Sequence, residues 1–93
     1  MIEIMIAGAL QQALKELYNI DYSVSLNLVQ KTRKEYEGDF TIVVFPFAKM
    51  SRKAPDITAR EIGEWITQKL SPNGISGYNV VNGFLNLSFS ISA

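Results

Sequence analysis

"GYNVVNGFLNLSFS", residues 77–90, contains the strongest structural signal of the chain, because Asn82-Gly83 separates two runs with the composition of β-strands. Both central positions of a two-residue type I′ turn need positive φ, so this dipeptide predicts a β-hairpin. A two-residue turn also sets the register, and it places Val81 opposite Phe84. The other predicted pairs are Val80 with Leu85, Asn79 with Asn86 and Tyr78 with Leu87.

Side chains alternate along a strand, so this hairpin has two different faces. The predicted core face carries Tyr78, Val80, Leu85, Leu87 and Phe89. The other face carries Asn79, Val81, Phe84, Asn86 and Ser88. An aromatic ring flanked by amides on an open sheet can stack on one unpaired base and bind its edge. The alternative is that a helix covers this face and Phe84 belongs to the core.

Two amphipathic helices are predicted upstream of the hairpin. Apolar residues recur at helical spacing from about residue 3 to 18, with polar residues between them. Pro55 suits the first turn of a second helix, and "SPNG" at 71–74 ends it. The predicted buried face of this second helix consists of Ala59, Ile62, Trp65, Ile66 and Leu70.

Two more strands are predicted between these helices. "SVSLNLV", residues 23–29, alternates strictly and predicts a half-buried strand. "FTIVVFPF", residues 40–47, predicts a central strand with Pro46 at its end or on a bulge, followed by a loop through Lys53. The expected fold class is α+β, a small antiparallel four-stranded sheet with two helices packed on one face.

Composition indicates one globular domain. The chain has 93 residues, of which 47% are hydrophobic and 19% charged. No run approaches the length of a membrane helix, the N-terminus lacks the basic region of a signal peptide, and cysteine is absent. We therefore expect a cytoplasmic protein without a membrane partner. The last residues, 90–93, follow directly after a strand, so we expect the natural polypeptide to continue.

The charges balance overall but are unevenly distributed. Nine basic and nine acidic residues give a net charge of zero, which argues against a protein that binds nucleic acid by bulk charge alone. Six of the nine basic residues form two clusters, which are Lys31 with Arg33 and Lys34, and Lys49 with Arg52 and Lys53. Either cluster could contact phosphates or simply face solvent.

Catalysis by this chain alone is not expected. Without His or Cys it can form no Ser-His-Asp triad, no Cys-His pair and no typical zinc site. No glycine-rich phosphate loop occurs either. Acid–base chemistry remains formally open through Glu35, Glu37 and Asp39, although carboxylates in such a charged loop are typically only solvated.

"KMSRK", residues 49–53, nearly spells the KMSKS loop with which class I aminoacyl-tRNA synthetases hold ATP phosphates. That loop works together with a histidine-containing signature in a nucleotide-binding domain, and this chain has no histidine. We therefore predict that the segment is not a catalytic loop. Its basic side chains lie between a predicted strand and a predicted helix, where they can meet phosphate or water.

"EYEGDFTIVVFPFAKMSRKAPDITAREIGEWI", residues 35–66, followed by "GFLN" at 83–86, resembles the N-terminal additional domain of bacterial arginyl-tRNA synthetases. The shared features are a Gly-Asp-aromatic that opens a strand, an "AK…P…A.EI" segment that enters a helix, and a "GFxN" hairpin. The spelling is most similar to the enzymes of the Bacteroidetes group. The resemblance extends from about Glu35 to Phe89, with a compatible N-terminal helix.

The resemblance implies that residues 1–93 form a single N-terminal tRNA-recognition domain, with the catalytic core absent from this chain. In that family the domain contacts the outer corner of tRNA-Arg and reads an unpaired D-loop nucleotide through the aromatic and the polar residue of "GFxN". The implied partners are tRNA-Arg and the catalytic domain of the same polypeptide. No cofactor is expected in this domain, whereas the parent ligase is expected to use ATP and magnesium.

The expected RNA-binding residues follow from these observations together. They are Phe84, Asn86, Asn79, Asn82, Lys49, Arg52 and Lys53, with no catalytic or metal-binding residue. The sequence leaves open whether Lys31, Arg33 and Lys34 also contact RNA.

The chain also departs from the family pattern. Val43 lies near a position where many relatives have Asn, and Val81 occupies another polar reading position. The turn reads "VNGF" where relatives often have Gly-Pro-Gly. Two other functions remain open, which are a protein-interaction module using the uncharged C-terminal segment and a small stand-alone enzyme using the carboxylates at 35–39.

Overall fold

Residues 2–90 are described by a computed structural model, in which three helices and four strands form an α+β fold. The elements in chain order are α1 Ile2–Tyr18, β1 Val29–Lys31, β2 Phe40–Val43, α2 Phe45–Ser51, α3 Pro55–Leu70, β3 Ile75–Val81 and β4 Phe84–Phe89. The strands are antiparallel and ordered β1-β2-β4-β3. The predicted fold class and strand number are confirmed.

The β3–β4 hairpin forms in the predicted register. Val81 pairs with Phe84 and Asn79 pairs with Asn86. Asn82 and Gly83 have φ values of 49° and 79°, the positive angles that a type I′ turn requires. Because the turn contains only two residues, it sets the face of every side chain in both strands.

The core lies between one face of this sheet and the two long helices. The central strands contribute Ile42, Leu85 and Leu87, while α1 and α3 contribute Ile6, Leu10, Leu14, Ile62 and Ile66. Helix α3 approaches the sheet closely at Gly63, where an added Cβ would lie 2.6 Å from a ring carbon of Tyr78. Phe84 on the opposite face is 39% exposed, so the alternative that a helix buries it is wrong.

The strand predicted for residues 23–29 is largely wrong. The Ser25 hydroxyl accepts a hydrogen bond from the Asn27 amide and caps a 3-10 turn over Leu26–Leu28. Pairing with β2 begins only at Val29 and covers three residues. Since β2 ends at Val43, one residue beyond the partner of Val29, the residues before Leu28 have no strand to pair with, and the local cap determines their conformation.

The strand predicted for residues 40–47 ends early, at Val43, and helix α2 replaces both its end and part of the predicted loop. Pro46 lies in the first turn of α2, where its missing N–H leaves no hydrogen bond unmade. Phe47 is completely buried and contacts the Tyr22 ring edge-on at a centroid distance of 5.1 Å. Burial of Phe47 therefore favours the helix, although the composition of the segment favours a strand.

The end of the chain, from which a longer polypeptide was expected, includes residues 91–93, which lie outside the described residues. None of the helices formed by residues 2–90 has the length and apolarity needed to cross a membrane.

Candidate nucleic-acid interface

A cleft of about 170 Å³ lies on the face of the sheet that the core does not use. One wall is the sheet and the other is the segment 32–39, which joins β1 to β2 and which we call the β1–β2 loop. The lining residues are Gln30, Lys31, Arg33, Tyr36, Thr41, Val81, Asn82, Phe84 and Asn86. The structure thus brings three of the predicted RNA-binding residues, Phe84, Asn86 and Asn82, into one cleft.

Phe84 is the aromatic residue that the sheet presents to this cleft. The Phe45 ring packs against it in edge-to-face geometry, with centroids 5.4 Å apart and planes at 85°. Phe45 can reach this position because α2 begins two residues after β2 ends. The pair holds the Phe84 ring in place and still leaves it exposed, which is the arrangement that base stacking requires.

Asn86 lies deep in the same cleft, with only 2% of its surface exposed. Its Oδ1 lies 2.6 Å from the Thr41 hydroxyl, and its Nδ2 donates to Asn79 Oδ1 at 3.2 Å. Since an amide oxygen can only accept, the Thr41 hydroxyl donates to it. One Nδ2 hydrogen and one Oδ1 lone pair of Asn86 remain for a further partner.

The hydrogen bonds of Asn86 belong to a longer chain that starts and ends in the β1–β2 loop. The Thr41 hydroxyl, having donated to Asn86, accepts from Thr32 at 2.9 Å. At the other end, Asn79 Nδ2 donates to the Glu37 carbonyl oxygen at 3.0 Å. The chain of hydrogen bonds therefore ties both ends of the β1–β2 loop to the sheet.

The Gly38-Asp39 pair brings this loop down onto Asn86. Gly38 has a φ of 128°, and an added Cβ would lie 3.0 Å from Asn86 Cβ. The Asp39 carboxylate accepts a hydrogen bond of 2.7 Å from the Phe89 amide, and the Asp39 amide donates to the Leu87 carbonyl at the same distance. Asp39, one of the three carboxylates considered for catalysis, thus holds the backbone of β4.

The charges around the cleft are cationic. Lys31 and Arg33 line it, and among residues 2–90 no carboxylate does. Lys31 and Arg33 come from the basic cluster for which the sequence left RNA contact open. Such a lining favours a ligand that carries phosphate.

No residue of the other basic cluster lines the cleft. Lys49 is in the last turn of α2, and Arg52 follows it in the left-handed conformation with φ 62°. Lys53 Nζ lies 2.6 Å from Glu61 Oε2 and 5.8 Å from the centroid of the Tyr18 ring. Lys53 is therefore paired on the helical side of the molecule.

Glu61 also connects α1 to α3, because its Oε1 accepts a hydrogen bond of 2.7 Å from the Tyr18 hydroxyl. The hydrogen bonds from Lys53 and then from Tyr18 lower the pKa of Glu61. Burial, followed by the hydrogen bond to Glu61, raises the pKa of Tyr18. These groups stabilise helix packing and do not contact the cleft.

The KMSKS-like segment is the end of a helix in this structure. The Ser51 hydroxyl donates to the Ala48 carbonyl at 3.0 Å and accepts from the Lys53 amide at 3.2 Å. It also lies 2.7 Å from the hydroxyl of buried Thr58, which joins α2 to α3.

In the part of the chain that the structure describes, no group of His, Cys, Asp or Glu side chains is placed to hold a metal ion.

Sequence reasoning did not identify three of the polar groups and rings that line the cleft, which are Gln30, Tyr36 and Thr41. It left open whether Lys31 and Arg33, which also line the cleft, contact RNA. Gln30 and Thr41 could have been found, because they pair with each other across β1 and β2 and Thr41 pairs with Asn86. Tyr36 and Arg33 lie in a loop, whose position no strand or helix periodicity predicts.

Comparison with protein families matches residues 5–89 to a family described as "Arginyl tRNA synthetase N terminal domain". The chain is 45% identical over 91 residues to an arginine–tRNA ligase of Parabacteroides distasonis, covering 98% of this chain and 15% of the ligase. It is 49% identical over 78 residues to an arginine–tRNA ligase of Porphyromonas gingivalis, covering 84% of this chain and 13% of the ligase. These organisms confirm the resemblance to the Bacteroidetes group.

Among solved structures, an arginyl-tRNA synthetase of Thermus thermophilus has the same fold, with a TM-score of 0.77 and 27% identity. The similarity covers 97% of this chain and 14% of the Thermus chain. The present chain thus spans about one seventh of the length of the relatives that it matches.

Proposed function

Because this chain belongs to the arginyl-tRNA synthetase N-terminal domain family, we propose that it is the tRNA-recognition domain of an arginine–tRNA ligase. The domain binds the outer corner of tRNA-Arg and accepts an unpaired D-loop nucleotide in the cleft. It carries out no chemistry itself. In the full-length protein, the catalytic domain of the same polypeptide uses ATP and magnesium to attach arginine, and the whole enzyme works in the cytoplasm.

One observation carries this proposal, which is the composition of the cleft. An exposed aromatic ring, the buried amide group of Asn86 and two cations line it, and no carboxylate of the described residues does. Phe84 stacks on the base, because every base offers an aromatic face. The unused N–H and lone pair of Asn86 bind the base edge at the floor of the cleft.

The remaining predicted residues have different parts in this proposal. Asn82 lines the cleft, and Asn79 supports Asn86. Lys49 and Arg52 at the end of α2 contact backbone phosphates away from the bound base. Lys53 can take part through the N–H groups that its ion pair with Glu61 leaves unused.

The test uses the full-length ligase with Phe84→Ala, and measures affinity for tRNA-Arg and for a tRNA-Arg lacking the unpaired D-loop base. Loss of the stack should weaken binding of the normal tRNA by about 1 to 3 kcal/mol, and should leave the altered tRNA unaffected. Leu17→Ala is the matched control, because Leu17 is similarly exposed, 38%, but lies on α1.

Asn86→Ala is a poor substitute in this test, because it would also release the β1–β2 loop. If the Phe84→Ala ligase remains folded and binds both tRNAs as the wild type does, the proposal is wrong. If the same variant leaves tRNA affinity unchanged and lowers the melting temperature of the full-length protein, the face is a protein-docking surface.

A further inference from the structure

We propose that Tyr36 is a second aromatic wall of the cleft, so that the nucleotide is held between the β1–β2 loop and Phe84, with its phosphate bound by Arg33. This inference rests on the proposed function and assigns the loop residues that complete the site. It predicts that the loop contributes to binding about as strongly as the sheet does.

The exposure of Tyr36 is the first argument. This large ring is 45% exposed, lines the same cleft as Phe84, and is not among the side chains packed on the hydrophobic core. Its backbone N–H bonds to the Arg33 carbonyl at 3.0 Å, so the two residues lie on one turn. An exposed aromatic on a constrained turn is available to stack on a base.

The second argument is that the loop is held in position before any ligand binds. Thr32 and Glu37, which flank the turn, are tied through hydrogen bonds to Thr41 and Asn79, with Asn86 between those two side chains. Asp39 fixes the loop to the end of β4. Because little ordering entropy is then lost on binding, contacts made by the loop increase affinity efficiently.

The third argument is charge. Lys31 and Arg33 line the cleft, whereas the loop carboxylates Glu35 and Glu37 do not. Arg33 follows Thr32, one of the anchored residues, and its planar guanidinium can bind a phosphate through two hydrogen bonds. Two aromatic rings with a cation beside them fit a nucleotide better than a peptide segment. A peptide would need apolar pockets for its side chains, or carboxylates in the cleft to pair with its basic residues.

The stacking test uses full-length ligase and transcribed tRNA-Arg with 2-aminopurine at the unpaired D-loop position. Tyr36→Ala should weaken binding about tenfold and partly restore the fluorescence that stacking quenches. Tyr36→Phe should behave as the wild type, because the ring does the stacking and the hydroxyl does not. Circular dichroism checks that both variants are folded.

The phosphate contact is tested with two neighbouring charges of the same loop. Arg33→Gln and Lys34→Gln remove the same charge from exposed positions, and only Arg33 lines the cleft. Arg33→Gln should weaken tRNA binding several-fold, and Lys34→Gln should leave it within a factor of two. Equal effects of the two substitutions would mean that only the total positive charge of the loop affects tRNA binding. That result would overturn the assignment of Arg33.

The outcomes separate this inference from the proposed function. If Phe84→Ala weakens binding and Tyr36→Ala does not, the nucleotide stacks on the sheet alone. The assignment of Tyr36 as a second wall is then wrong, while the proposed function stands. If neither variant changes binding or fluorescence, the cleft does not hold the base, and both proposals fail. If both variants only lower the melting temperature, the cleft is covered by another part of the protein and the inference is overturned.

Discussion

Asn86 shows how a single residue can be placed correctly by a pattern and still have an unexpected environment. Strand alternation put it on the face opposite the core, beside Phe84, and the register confirms this. The same residue is 2% exposed, because the β1–β2 loop folds over it. It therefore supports the cleft as well as lining it, and its two roles cannot be separated by truncation.

Gly38 is the residue on which this loop position depends most directly. We expect Gly38→Ala to destabilise the protein by about 1 to 3 kcal/mol, because its φ of 128° is unfavourable for Ala and the new methyl group would lie 3.0 Å from Asn86 Cβ. Urea unfolding followed by circular dichroism measures the change. The same substitution should weaken tRNA binding, since it lifts the loop off Asn86.

Gly8→Ala is the matched control for Gly38→Ala. Gly8 lies inside α1, and an added Cβ there meets nothing within 4 Å. Because Ala loses less backbone entropy in a helix than Gly, this variant should be more stable by about 0.5 to 1 kcal/mol. Equal effects of the two substitutions would contradict the claim that Gly38 is a special position.

Among the elements, helix α2 has the largest consequence for the site. By ending β2 at Val43, it places Phe45 against Phe84, and by continuing to Ser51 it places Lys49 in its last turn, outside the lining of the cleft. A strand through residue 47 would have done neither. The positions of Phe45 and Lys49 are therefore both consequences of one short helix.

The packing of α1 on α3 should depend on pH through Tyr18 and Glu61. The pKa of Glu61 is lowered in the folded protein. Its contribution to the free energy of unfolding is therefore complete above its ordinary pKa of 4.5 and is lost as the pH falls through the lowered pKa. The pKa of Tyr18 is raised in the folded protein. Its contribution to the free energy of unfolding is therefore complete below its ordinary pKa of 10.0 and is lost as the pH rises beyond that value.

We therefore expect Tyr18→Phe to be less stable than the wild type between the ordinary pKa values of Glu61 and Tyr18. The difference in the free energy of unfolding should shrink at lower and at higher pH. Thermal unfolding across the pH range measures this. Combining Tyr18→Phe with Glu61→Ala should destabilise less than the sum of the single changes, because both remove the same 2.7 Å hydrogen bond. A difference that is constant with pH would show that the pair contributes only by packing.

At the scale of the whole molecule, the two faces of the sheet have different surroundings. The long helices cover one face of the sheet, and the cleft occupies the other. With nine basic and nine acidic residues the chain has no net charge, so the RNA binding that we propose must come from a few local contacts and not from a general electrostatic field.

Salt dependence tests this view of the molecule. Each phosphate contact adds about 0.7 to the slope of the logarithm of affinity against the logarithm of salt concentration for single-stranded nucleic acid. Changing both Lys31 and Arg33 to Gln in the full-length ligase should therefore reduce the slope by about 1.4. Changing Lys15 and Lys69, which do not line the cleft, should leave the slope unaltered.

Much of this protein follows from local sequence patterns. The Asn82-Gly83 turn, the register of the hairpin, the limits of α1 and α3 and the family resemblance were all predicted from short segments and confirmed. They are predictable because turn φ values and the strand and helix periods depend on residues close together in the chain. The same patterns put Phe84 and Asn86 on one face.

The shape of the cleft depends on residues that are far apart in sequence. Thr41 meets Asn86, Asn79 meets Glu37 and Asp39 meets Phe89, each across more than forty positions. These contacts fold the β1–β2 loop onto the sheet, while Phe47 burial turns a strand-like segment into α2. Since such contacts exist only once the chain is folded, no periodicity could predict that Tyr36 and Arg33 face the cleft or that Lys53 is paired with Glu61.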